Sequence, residues 1–224
     1  MKFRIFSHRH AKQILENTPE YSLLYREVRE SIENITDERL MAHFRDNYET
    51  PGKAKKSISE SINNLLSVEL IAAGWEPEAR IFRDADFGDG KWRLDFAKQT
   101  SIPESDSRSY GDVTKTGVSI EVAFNHSGSI AWNLLKPVLA SELNHVEKDI
   151  QTSVGLVVTA TRGLQAAGGF DNAIGVFEDF VSHLVPLRDV LTVPLLVIGL
   201  EAPEEFRISH SKKGNTTYGH VEML

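Results

Sequence analysis

The run Val118-Ser119-Ile120-Glu121-Val122-Ala123-Phe124 decides how this chain is read. It is apolar and rich in β-branched residues, so it predicts a strand. Side chains alternate along a strand, so Ile120, Val122 and Phe124 share one face while Glu121, Ala123 and Asn125 share the other. Glu121 is the anomaly, because carboxylates are rarely buried without a partner or a metal. Two readings stand. Glu121 pairs with a cross-strand Lys or Arg at a sheet edge, or it is a ligand of a hard cation. Nine residues upstream, Asp112 follows Gly111 in a polar stretch leading into the strand. A loop carboxylate and a strand carboxylate can place oxygens around Mg²⁺, which keeps several waters. Such an ion can generate a nucleophile and neutralise charge on a phosphoryl group.

The flanking sequence sets the architecture. Residues 130–148 repeat Trp132, Leu135, Val138, Leu139, Leu143 and Val146 at spacings of 3 and 4, which predicts a helix that Pro137 should kink or split. Residues 153–159 are continuously apolar, as in a strand covered on both faces. Gly168-Gly169 breaks the chain, 172–184 reads as a helix, and 194–200 as a second buried strand. The strand–helix–strand unit over 118–159 should cross over right-handed. Residues 208–221 read as a polar hairpin or loop.

Upstream, residues 2–6 alternate like a short strand, and 10–35 follow a helical period through Ile14, Leu23, Leu24, Val28 and Ile32. A second helix is expected over 37–48 with Thr36 as its N-cap, before the Pro51-Gly52 loop. Residues 57–73 are amphipathic, with Gly74 as C-cap. Strands are expected over 79–83 and 91–97, joined by a turn at 84–90, and 99–111 reads as a loop. The expected fold class is α/β (α+β): a central mixed β-sheet flanked by α-helices. One domain is expected over 1–224, with a helical part to about residue 74, an α/β core over about 75–200, and a polar C-terminal arm over 201–224.

Composition bounds the function. The 224 residues hold 25 Lys+Arg against 32 Asp+Glu, a net charge of −7, and no Cys. Disulfides, thiolate-bound metals and a Cys nucleophile are excluded. A globally basic surface that coats nucleic acid is excluded too, but a local basic cleft is not. Basic residues do cluster: Lys53, Lys55 and Lys56 precede a helix, Lys212 and Lys213 lie in the C-terminal arm, and Arg80, Arg83, Lys91 and Arg93 flank a hairpin. They are either solvated loop charge or phosphate contacts. No apolar run is long enough for a signal peptide or a membrane span, so a cytoplasmic protein without membrane association is expected.

The segment Asp112-Val113-Thr114-Lys115, followed by Ile120-Glu121-Val122-Ala123-Phe124, resembles the BglII/BstYI family of type II restriction endonucleases, within the PD-(D/E)XK nuclease superfamily. The Asp, Lys, Glu, Val and Phe match at the family spacing. Trp75, Leu94-Asp95-Phe96, Ser141-Glu142-Leu143-Asn144-His145, and the apolar runs 154–158 and 193–200 match in the same order.

The resemblance implies a restriction-endonuclease-like fold and Mg²⁺-dependent cleavage of double-stranded DNA, with Mn²⁺ as a substitute. Asp112, Glu121 and the Val122 backbone carbonyl would be the metal ligands. Water would attack a backbone phosphorus in line, with the 3′ oxygen leaving. It further implies a homodimer on a short palindromic site and a cognate DNA methyltransferase. Asn125 and His126 either end the strand as a turn or reach DNA bases, and Asn and His suit adenine and guanine edges. His145 reads more simply as a packed helical residue.

The pattern departs at Ala123, where the family has Gln, and Ala can neither place nor activate water. The helper role is then dispensable, or supplied from elsewhere with Lys115, Glu142 and Lys148 as candidates, or lost, leaving a catalytically silent DNA-binding relative. A structural domain without a nucleic-acid role is the remaining alternative.

Overall fold

A computed structural model gives the fold. It describes residues 1–49, 55–83, 92–101, 115–142 and 146–224, with only the backbone at 101 and 115. The expectations placed on Pro51-Gly52, Lys53, the 84–90 turn, Lys91, Asp112 and residues 143–145 lie outside the described residues.

The described elements run β1 (Phe3–His8), α1 (Ala11–Asn17), α2 (Pro19–Glu33), α3 (Asp37–Tyr48), α4 (Ser59–Ala72), β2 (Glu76–Arg80), β3 (Arg93–Ser101) and β4 (Lys115–Val122). Then come α5 (Ile130–Ser141), β5 (Val154–Ala160), α6 (Arg162–Ala167), α7 (Phe177–Leu184), β6 (Leu195–Leu200), β7 (Phe206–Lys213) and β8 (Thr216–Met223). β1 to β6 form one sheet in the order β1-β6-β5-β4-β3-β2. β4, β5 and β6 are parallel, while β1, β2 and β3 pair antiparallel. The mixed sheet flanked by helices is the expected fold class.

Two apolar layers close the sheet. Leu156, Val158, Leu196 and Ile198 face the cluster built with α1 to α4, while Val157, Leu195 and Val197 face α5 and α7. The central strands are therefore buried on both sides, as their continuous apolar runs predict. On β4, Val118 and Ile120 join the first cluster, and Ala123 just past its end joins the second, so Glu121 points toward the α5 side.

The sequence expectations need several corrections. The helix expected over 10–35 is two helices, because Pro19 has no N–H to donate and Thr18 before it is extended. β2 and β3 are displaced from the expected ranges, and residues 99–101 are strand, since Gln99 and Thr100 pair with Gly117 and Thr116 despite their polarity. The helix expected over 130–148 ends at Ser141, with Glu142 extended. Pro137 does not split it; its ring packs against Gly155, where a Cβ would come within 2.5 Å.

The buried face of α5 is Ile130, Asn133, Leu134, Pro137, Val138 and Ala140, while Trp132 is 44% exposed. Hydropathy misplaces this face because it discounts Asn and Pro. α6 was not expected, and α7 begins at Phe177 rather than 172. The 208–221 segment is a hairpin, β7 with β8, turned at Gly214 with φ 62°.

Other local signals hold. The Thr36 hydroxyl accepts from the Arg39 N–H, as an N-cap does. Gly74, at φ 83°, donates to the Ile71 carbonyl and Trp75 to that of Leu70, the paired bonds of a Schellman stop.

Candidate active site

Glu121 lies one residue before the end of β4, beside Val157 of β5, and is 1% exposed. This is the carboxyl end of parallel strands, where open α/β sheets carry their ligand sites. Three elements meet at it. β3 pairs with β4 as far as Phe96 opposite Ile120, and one step further Asp95 Oδ2 accepts a 2.7 Å hydrogen bond from the Val122 N–H. α5 crosses above and brings Lys136 into an ion pair with Glu121 Oε2. Oε1 of Glu121 is buried with no hydrogen-bond partner among the described residues.

The electrostatics follow from this enclosure. Burial pushes the Glu121 carboxyl up to about 8, the neighbouring Asp95 carboxylate pushes the same way, and the Lys136 ammonium opposes both. A group that holds its proton this tightly is short of positive charge. An orphaned carboxylate oxygen beside a second carboxylate is the donor chemistry that suits a hard divalent ion with water in its remaining positions. The described residues contain no group of three or more His, Asp or Glu that could hold a metal ion. Asp112, the acid that the resemblance pairs with Glu121, lies outside them.

Two of the expected helpers have other partners at the end of α5. Lys148 donates to the Ala140 and Glu142 carbonyls at the end of α5, and burial lowers its ammonium to about 8. Glu142 accepts from the Thr192 hydroxyl. Both lie beyond the end of α5 and are engaged there. The side chain of Lys115 is outside the described residues.

Asn125 and His126 are exposed just past the strand. Asn125 Oδ1 accepts from Asn133 Nδ2 at 3.0 Å, and His126 Nδ1 accepts from the Gly128 N–H, so each is held in place without being covered. Lys55 pairs with Glu60 at 2.5 Å and Lys56 with Asp171 at 3.5 Å, and the carbonyls of both residues accept from the β7–β8 hairpin. Lys212 and Lys213 are exposed on β7 without an ion-pair partner among the described residues. Arg80 and Arg83 are neutralised by Glu147 and Asp149, so local acids already hold these two guanidinium groups.

Sequence reasoning assigned no role to Asp95 or Lys136. Asp95 carries the same signal as Glu121, a carboxylate between Leu94 and Phe96 in an apolar stretch. Lys136 was hidden by the misplaced face of α5.

Comparisons with known proteins bear on the fold and the family. No curated protein sequence matches the chain. Among solved structures, the restriction endonuclease BglII complexed with a DNA 16-mer superposes with a TM-score of 0.62 at 16% identity over 100% of both chains. Free BglII follows at a TM-score of 0.47 and 14% identity over the same extent. The first likeness carries the fold. The family model described as "Restriction endonuclease BglII/BglIII" matches residues 3–200, which spans both apolar layers and the Glu121 site. The chain therefore belongs to the BglII/BglIII family of restriction endonucleases, site-specific nucleases of DNA.

Proposed function

We propose that this restriction endonuclease is a type II enzyme that depends on Mg²⁺, accepts Mn²⁺, and cuts double-stranded DNA at a short palindromic site. The observation that carries the reading is Glu121, a core carboxylate with one oxygen orphaned, at the strand ends and next to the exposed Asn125 and His126. Glu121 and Asp95 supply carboxylate oxygens to the ion, joined by Asp112 and the Val122 carbonyl in the role the resemblance gives them. When bound, the ion supplies a nucleophile at neutral pH and neutralises charge at the scissile phosphate.

The chain's own residues do the rest. The Val122 N–H fixes the rotamer of Asp95. The apolar cluster around Leu134, Val138 and Val157 excludes water behind Ala123. Asn133 steadies Asn125 where a base edge can be read. Lys55, Lys56, Lys212 and Lys213, with Lys53, are phosphate contacts that position the duplex. A palindromic site calls for a two-fold protein, so the working form is a homodimer. The setting is a cytoplasmic restriction–modification system with a cognate methyltransferase protecting host DNA. The chain acts as one unit of helical part, α/β core and C-terminal arm.

The test is cleavage of phage and plasmid DNA with Mg²⁺ or Mn²⁺. Glu121→Ala is expected to abolish cutting while DNA affinity stays within about tenfold. Retained cutting in that variant would overturn the site. Specific DNA binding by the wild type with no cutting under any metal condition would leave the silent relative as the correct reading.

A further inference from the structure

The third position of the strand pattern is Ala123, and its surroundings explain why it carries no chemistry. Ala123 shares Glu121's side of β4, is 1% exposed, and packs with Leu134, Val138 and Val157. A methyl group there has no donor and faces no water. The cation at Glu121 comes instead from α5, the helix lying over this strand. Lys136 reaches Glu121 Oε2, and its ammonium also donates to the Arg93 carbonyl at 3.2 Å. An ammonium has three donors. The third has no partner among the described residues, and the side chain keeps 14% of its surface open.

The other described lysines near the sheet are committed elsewhere. Lys148 is held by the carbonyls at the end of α5. Lys98 is held by Glu27 and the Ala73 carbonyl on the α2 side.

We propose that Lys136 performs from the helix the helper role that the strand's third position no longer carries, its free donor meeting the attacking water or the scissile phosphate. The proposal rests on the reading of Glu121 as the centre of a nuclease site. Stability is a poor rival explanation. A buried ion pair offers little net stabilisation over apolar packing, and apolar packing is already present two residues to either side on the same helix, at Leu134 and Val138. The placement is also held firmly. Asn133 ties α5 to Asn125, and Pro137 meets Gly155 with no room for a Cβ, so the helix cannot slide without losing both contacts.

The experiment compares wild type with Lys136→Met, which keeps the apolar stem, and with Lys136→Arg, which keeps a cationic donor. Four quantities are read: single-turnover cleavage at saturating Mg²⁺, Mn²⁺ affinity of the DNA-free protein by electron paramagnetic resonance, DNA affinity in Ca²⁺, and the melting midpoint. Lys136→Met is expected to cut at least about 100-fold more slowly, the effect of deleting one donor to a developing charge. Its Mn²⁺ affinity should stay within about threefold or tighten, since a competing cation has gone, and its DNA affinity should stay within about threefold. Lys136→Arg is expected to cut at least about tenfold faster than Lys136→Met, since it restores a charged donor.

Cleavage by Lys136→Met within about threefold of wild type would overturn the proposal. So would a slow Lys136→Met whose Mn²⁺ affinity and melting midpoint fall with its rate, because that is the signature of a purely structural counter-ion. A wild type that cuts no DNA with either metal sinks the nuclease reading and this proposal together. An active wild type with an equally active Lys136→Met sinks this proposal alone.

Discussion

Glu121 holds its proton for a reason that can be stated group by group: it is buried, it faces Asp95, and Lys136 only partly offsets both. The linkage sign follows. The unfolded carboxyl releases its proton near 4.5 while the folded one keeps it to about 8. Between those values the unfolded chain binds fewer protons, so raising the pH favours unfolding. In the absence of divalent ions, the thermal midpoint is therefore expected to fall as pH rises through this window. Glu121→Gln, which stays neutral, should flatten most of that slope. Thermal melts of both proteins across the window test it, and an equally steep slope in the variant would place the titrating group elsewhere. The carboxylate was legible at this scale from sequence, because a charge inside a run of Val and Ile is a chemical anomaly wherever it occurs. Asp95 is the same anomaly, and nothing in its own neighbours says that it meets Glu121.

At the scale of elements, the contact that matters is α5 on β5. A Cβ at Gly155 would lie 2.5 Å from Pro137 Cβ and 2.6 Å from Leu195 Cδ2. Gly155→Ala must push helix and strands apart, so it is expected to lower stability by about 1–3 kcal/mol in urea denaturation. It should also slow cleavage, because Lys136 sits one residue from Pro137 and moves with it. Unchanged stability would mean that α5 can lift without loss. Periodicity located this helix but rotated it, putting Trp132 in the core and overlooking Asn133 and Pro137. It also missed the break at Thr18-Pro19 and the strand character of Gln99 and Thr100. In each case a non-local partner or a missing N–H outweighed hydropathy.

At the scale of the whole molecule, a net charge of −7 must coexist with DNA binding. The field at a DNA surface is local rather than net, and four cations add little to it because each sits on a carboxylate: Arg80, Arg83, Arg162 and Arg207. The exposed Lys212 and Lys213 on the β7–β8 hairpin are not among them. Replacing both with Ala is expected to weaken binding to all sequences alike and to reduce the salt slope of log affinity by about two. A salt titration of DNA affinity measures this, and an unchanged slope would remove the hairpin from the interface.

The sequence by itself determined most of the kinds of element, pointed to the family, and singled out Glu121 as a carboxylate inside an apolar strand. Those properties reside in local alternation, in ordered motifs, and in the energetic penalty of a lone charge among apolar residues. What the tertiary structure decided is which groups surround that carboxylate. Asp95 arrives through the β3–β4 pairing, and Lys136 through the rotational phase of α5 over β5. Register and helix phase are set by packing between residues far apart in the chain, and a one-step change in either sends every side chain to another face.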